Sequence, residues 1–163
     1  MKKTKILEGI IILLLIFVVL QAGSAAFLFY LKTGFTVEGV KRFFRPDLFD
    51  NLAQASTYLG VIKLVLPHIL AMGLLSFVLA HFLWFVPRVS PMLLWVFGLT
   101  VSFMVLLHNL APFLVIYHSA SWAWLYFLSF IFFELGIFWA FFVCVADILD
   151  QSILEESTNK SKF

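Results

Sequence analysis

Five titratable side chains stand within or at the ends of long apolar stretches: His68, His81, His108, His118 and Glu134. In hydrocarbon such groups are costly, and they mark functional sites or find partners in the protein. An imidazole can ligate a metal or relay a proton, and a carboxyl group can do the same. No HxxxH or ExxH spacing sets two of these ligands on one helical face. No GxSxG, HExxH, Walker or GxGxxG pattern occurs either. The one cysteine, Cys144, lies in an apolar run, so intramolecular disulfides and covalent c-type haem attachment through CxxCH are excluded.

The elements that must position these groups follow from composition. Hydrophobic residues make up 63% of the 163-residue chain and charged residues 12%, with a mean hydropathy of +1.07. Soluble domains carry about 25% charged residues, so this apolar surface belongs in lipid. A bilayer core needs about 20 apolar helical residues. Segments 6–31, 58–86, 92–117 and 122–149 qualify. The short turns at 87–91 and 118–121 make the last three helices antiparallel neighbours. The expected fold is an all-α integral membrane antiparallel four-helix bundle, one membrane domain over 1–163 with a polar tail at 151–163. The net charge of +2, without a basic stripe, excludes nucleic acid as a partner and leaves the lipid bilayer.

Aromatic residues give an independent check on the spans. Tyr30, Tyr58, Tyr117 and Tyr126 fall towards one edge of the bundle, Trp84 and Trp95 towards the other, as interfacial belts require. The opening MKKTK favours both termini in the cytoplasm and the 33–57 connector outside, in a bacterial inner membrane. Its apolar run reaches Leu31, longer than a signal-peptide core, so the segment is expected to be retained. In the connector, VEGVKRFF and DLFDNLAQ each read as a short amphipathic helix, split at Arg45-Pro46. Phe43, Phe44, Leu48 and Phe49 are expected to dip into the outer interface.

Depth relates the polar residues. Mirrored about the turn near residue 89, His68 lies level with residue 109, close to His108. Mirrored about the turn near 120, His108 lies level with residue 132, close to Glu134. The mismatches amount to a few ångströms at about 1.5 Å of rise per residue. His68, His108 and Glu134 are thus expected in one layer, with Gln21 near the same depth. Two histidines at equal depth on antiparallel neighbours can ligate a b-type haem from both sides. Ala71, Gly73, Ser102, Ala111 and the AGSAA run supply small residues nearby, and Lys63, Arg42 and Arg45 could meet the propionates. His81 and His118 are weaker iron-ligand candidates. Lys63 also reads simply as a lysine reaching for the interface.

In its architecture and paired histidines the chain resembles the small four-helix membrane b-type cytochromes that serve as electron-transfer subunits of respiratory oxidoreductases. The resemblance implies haem b held by His68 and His108, with Glu134 as second partner of His108, a quinone as possible reactant, and outer-face or membrane redox subunits as partners. Dihaem members place two histidines about 14 residues apart on one helix. His68 and His81 are 13 apart and point roughly 140° from one another, which leaves no second haem. The expected role is a non-catalytic electron-transfer subunit. Its rivals are a non-redox anchor or assembly subunit, and a proton or metal conduit through the Glu134 layer.

Overall fold

A computed structural model describes the backbone of residues 2–160 and the side chains of residues 12–150. The side chains of Lys2, Lys3, Lys5, Lys160 and Lys162, which enter the expected orientation, lie outside the described residues. Five helices follow in order: α1 Lys2–Thr33, α2 Val37–Phe44, α3 Tyr58–Trp84, α4 Pro91–Tyr117 and α5 Ala123–Lys160. Two 3-10 turns stand before α3 and α5, at Pro46–Leu48 and Ala120–Trp122. Four stretches are long and apolar enough to cross a bilayer: Ile12–Thr33, Tyr58–Trp84, Pro91–Tyr117 and Ala120–Asp150. The protein is an all-α integral membrane bundle.

Local chemistry sets where the helices start. Thr57 caps α3 by accepting from the Gly60 amide at 3.2 Å, and Ser90 caps α4 by accepting from Leu93 at 3.2 Å. Pro91 follows at the first helical position, where its missing N–H costs nothing. At the turn end of the bundle Arg88 pairs with Asp150, tying the α3–α4 turn to α5.

α4 packs along both α3 and α5, whereas α1 leans on α5 and α2 and barely touches α3. α3 also packs on α5, so α3, α4 and α5 hold one another and α1 stands beside α5, parted from α3. Towards the turn end, Leu15, Val18, Leu79, Leu83, Val101, Ile137 and Ala140 form one packed apolar core. Towards the connector end the core is aromatic: Phe29, Phe44, Tyr126 and Phe130 meet with Val40, Ala111 and Val115.

The connector differs from expectation in two ways. α2 buries part of its apolar face in the protein. It folds over the end of the bundle, with Val40 and Phe44 almost fully buried and the Phe44 ring edge-on to Tyr126 at 5.1 Å. Gly34, at φ +61°, makes the reversal that brings it there. Gly39 lets α2 sit against the end of α1, because a Cβ on it would run into the Thr33 carbonyl. Only Leu48 and Phe49 stay outward. The second expected helix, DLFDNLAQ, is a single 3-10 turn followed by irregular chain. Asp50 accepts from the Leu52 amide at 3.0 Å, a local bond that competes with helix. Tyr126 also leaves the expected belt: it is buried, whereas Tyr30, Tyr58 and Tyr117 are exposed.

Candidate functional site

One cavity of about 310 Å³ occupies the parted side of the bundle. α1 lines it with Gln21, Ser24, Ala25, Leu28 and Lys32, which recur every three or four residues and so form one stripe. α3 contributes Pro67, His68, Ala71 and Met72, α4 contributes His108, and α5 contributes Tyr126, Phe130, Glu134 and Ile137. From Gln21 to Thr33 the slot follows about 18 Å of α1, at about 1.5 Å per residue. Its walls are mainly apolar. Its polar groups cluster at the deep end, and Lys32 stands at the mouth beneath Phe43 of α2.

The four polar residues matched by depth thus share one space. Glu134 is 7% exposed, and neither of its carboxyl oxygens has a hydrogen-bond partner. A buried polar atom left unpaired is costly and calls for an explanation. Here both oxygens belong to a side chain that lines the cavity. His108 is 4% exposed, stacked on the Tyr126 ring at 4.1 Å and tilted against Phe130 at 5.8 Å. Its Nδ1 stands 3.3 Å from the Tyr126 carbonyl oxygen. Ser129 donates to that same carbonyl at 3.0 Å. His68 is exposed, with Nδ1 2.6 Å from the Leu64 carbonyl oxygen on its own helix. A carbonyl can only accept, so in the neutral form of each ring Nδ1 carries the proton and Nε2 keeps its lone pair. The cavity is thereby rich in acceptors: two imidazole nitrogens and a carboxyl group.

His68 and His108 line the same cavity, which His108 reaches from the α5 side of α4. At this depth α4 turns Asn109, not His108, towards α3, and the Asn109 amide reaches the Met72 sulfur at 3.9 Å. One residue further along a helix is about 100° further round it. His108 accordingly faces α5, and the histidines look into the cavity on the far side of the α3–α4 seam. Among the described residues, no three His, Cys, Asp or Glu side chains are grouped to hold one metal ion.

The other expected contacts move as well. Arg45 forms a bidentate pair with Asp47 at 2.8–3.1 Å and reaches the Ile116 carbonyl at 3.5 Å, so its guanidinium is engaged away from the cavity. The hydrogen bonds of this pair raise the Arg45 pKa and lower that of Asp47. Arg42 stacks over Phe49 at 5.1 Å. Lys63 is exposed on α3 beside Leu64, Pro67 and His68 in sequence yet turned off the face they share. The basic residue at the cavity is Lys32, whose ammonium lies 5.4 Å over the Phe43 ring. His81 is exposed between Phe77 and Phe85 of its own helix, and His118 packs edge-on to Trp122 at the end of α4. Neither lines the cavity.

Sequence reasoning missed Ser24, Lys32, Asn109, Ser129 and the burial of Tyr126. Asn109 carried a visible signal, a polar amide next to His108 in an apolar run.

Comparison with known proteins adds the family. A family model described as a transmembrane helical domain matches residues 34–153, most of the chain and all of α2 to α4. The chain belongs to this family, Aq_1264_TM. No curated protein matches it, and no solved structure does. The matched stretch holds His68, His108 and Glu134, whereas the α1 stripe of Gln21, Ser24 and Lys32 precedes it.

Proposed function

We propose that the protein is the membrane subunit of an electron-transfer assembly, and that its cavity takes the head group of a lipid-soluble hydroquinone. The observation that carries this reading is the unpaired Glu134 carboxyl group in one cavity with two imidazole Nε2 acceptors. An acceptor-rich pocket suits a ligand that arrives with hydroxyl donors. A hydroquinone has two, on a flat apolar ring that Tyr126, Phe130 and Met72 can pack against. The gap between α1 and α3 opens the deep end to the bilayer, where such a molecule and its tail reside.

The chemistry needs a partner. Oxidation of the hydroquinone releases two electrons and two protons and leaves the quinone. The electrons leave for a redox centre in another subunit, and the protons pass to the Nε2 atoms and Glu134. Loss of the hydroxyl donors weakens binding of the product. On the orientation given by the MKKTK opening, the connector end faces outwards, towards an outer-face redox partner.

A haem b fits this cavity less well. The free Nε2 atoms are suitable axial donors, but α3 and α4 meet directly through Met72 and Asn109 where the porphyrin would stand. The volume of about 310 Å³ is at the low end of the roughly 300–1,000 Å³ of pockets for drug-sized ligands. No step is assigned to haem.

Two measurements on purified protein test the reading. Titration with a short-tailed hydroquinone should show saturable binding that weakens at least about tenfold in Glu134→Gln, or about 1.4 kcal/mol. The absorbance spectrum should lack a Soret band. Binding that ignores Glu134, or stoichiometric haem lost in His68→Ala and His108→Ala, would overturn the hydroquinone assignment.

A further inference from the structure

The two ends of the cavity are not equivalent. Among the described residues the lining ends below Glu134 at Ile137 and Leu75; beyond them Leu79, Leu83 and Ala140 are at most 1% exposed and packed together. Above it the slot continues past Ser24 and His68 to Lys32 and Thr33. There it meets a second, more polar depression of about 500 Å³, lined by Lys32, Thr33, Thr36, Glu38, Arg42 and Phe43. The two spaces share Lys32, Thr33 and Phe43. Glu134 itself lies near the middle of its span, Ala120–Asp150.

We propose that the cavity is a one-sided proton well: Glu134 exchanges protons with the aqueous phase at the connector end and with no other. The route uses groups that face the slot from each element around it. α1 gives Gln21, Ser24 and Lys32, α3 gives His68, α4 gives His108, α5 gives Tyr126 and Glu134, and Phe43 of α2 stands at the mouth. Water is stable in a cavity only where several polar partners can hold it, and this lining supplies them. Among the described residues the turn half also buries Cys144 and Asp147, but neither lines the cavity, and its buried Ser76 spends its hydroxyl on the Met72 carbonyl at 2.6 Å. Sided access stands on this geometry alone. The further consequence, that both protons of a hydroquinone emerge at the connector side, rests on the function proposed above.

The test uses the full-length protein in sealed vesicles of known and of inverted orientation. A membrane-impermeant carbodiimide with a soluble amine is added outside, and Glu134 is read by peptide mass. Glu134 should be modified only in vesicles that expose the connector, with Leu52→Cys as the marker of that face and Arg88→Cys as the marker of the other. Each marker is built in a Cys144→Ala background and read with an impermeant thiol reagent. Ser24→Cys, on the mouth side of Glu134, should label from the connector side at least about tenfold faster than from the turn side, and Ala140→Cys from neither. Modification of Glu134 or Ser24→Cys from the turn side would overturn the proposal. So would no modification of either from the connector side while Leu52→Cys reacts. Neither reaction needs hydroquinone. One-sided modification in a protein that fails to bind hydroquinone would keep the well and discard the ligand.

Discussion

Above and below the level of Glu134, the bundle has two different interiors. The described core of the half towards the turn is mainly aliphatic, with Leu79, Leu83 and Ala140 at most 1% exposed. The half towards the connector is aromatic and polar, holds the cavity, is covered at its end by α2, and takes Phe29 of α1 into its core. Both are built from the same four spans. In both, α1 meets α5 but stands away from α3. A membrane bundle gains stability from close packing of its side chains, so a half that forgoes packing and keeps titratable groups is shaped for something else. The turn half acts as scaffold, and the connector half carries the chemistry.

The sharpest way to break that division is to excavate the scaffold. Leu79→Ala or Leu83→Ala should cost about 2–5 kcal/mol, the usual penalty for a large-to-small change in a closed core. Reversible unfolding in detergent checks this. His68→Ala, at an exposed position on the cavity wall, should cost under about 1 kcal/mol by the same measurement. Equal losses would erase the distinction between the halves.

Gly39→Ala comes next. Its Cβ would collide with the Thr33 carbonyl, forcing α2 off the bundle at about 1–3 kcal/mol, the range for overpacking. Hydrogen exchange should rise in 34–57 and at Tyr126 while the turn half keeps its protection. Uniform loss of protection would show that the two halves unfold together.

Glu134→Gln should leave the unfolding free energy within about 1 kcal/mol, because the amide keeps the shape and the carboxyl oxygens have no partner to lose. Its effect belongs to binding and to carbodiimide modification. A loss of more than about 3 kcal/mol would return Glu134 to the scaffold.

The smallest effect concerns the connector surface. Hydrogen bonding to Arg45 lowers the Asp47 pKa from its ordinary carboxylate value. The folded form therefore binds the proton less readily than the unfolded chain. This contribution is present above the ordinary carboxylate pKa and fades as pH falls through the lowered one. Asp47→Asn should flatten the acid limb of the pH–stability curve slightly, without moving hydroquinone binding at neutral pH. A shift in that binding would place the Arg45–Asp47 pair at the site after all.

How much of this could be read from the residues follows from what periodicity encodes. Long apolar runs and short turns determine the number of spans and, by mirroring about the turns, the depth of each polar group. Depth put His68, His108, Glu134 and Gln21 at one level, and all four line one cavity. Rotation is a different quantity. Helices apolar on every side carry almost no amphipathic signal, so nothing in α4 distinguished the face of His108 from that of Asn109. That is why the side of α4 from which His108 reaches the shared cavity was not legible. Lys63 and Lys32 exchanged roles for the same reason. The fold of α2 over the bundle was hidden too, because an amphipathic helix with Phe43 and Phe44 suits a lipid surface as well as a protein one. The Gly39 contact that decides between them is a tertiary fact.

The most direct test of the central claim is where a hydroquinone touches the chain. A photoreactive short-tailed hydroquinone, activated in native membranes and mapped by peptide mass, should attach within Gln21–Thr33, Leu64–Leu75 and Tyr126–Ile137, the stretches that line the cavity. Glu134→Gln should abolish that labelling while leaving protein level unchanged. Attachment instead to the outer α3–α4 groove at Ile62, Leu66 and Phe113, unaltered by Glu134→Gln, would contradict the account.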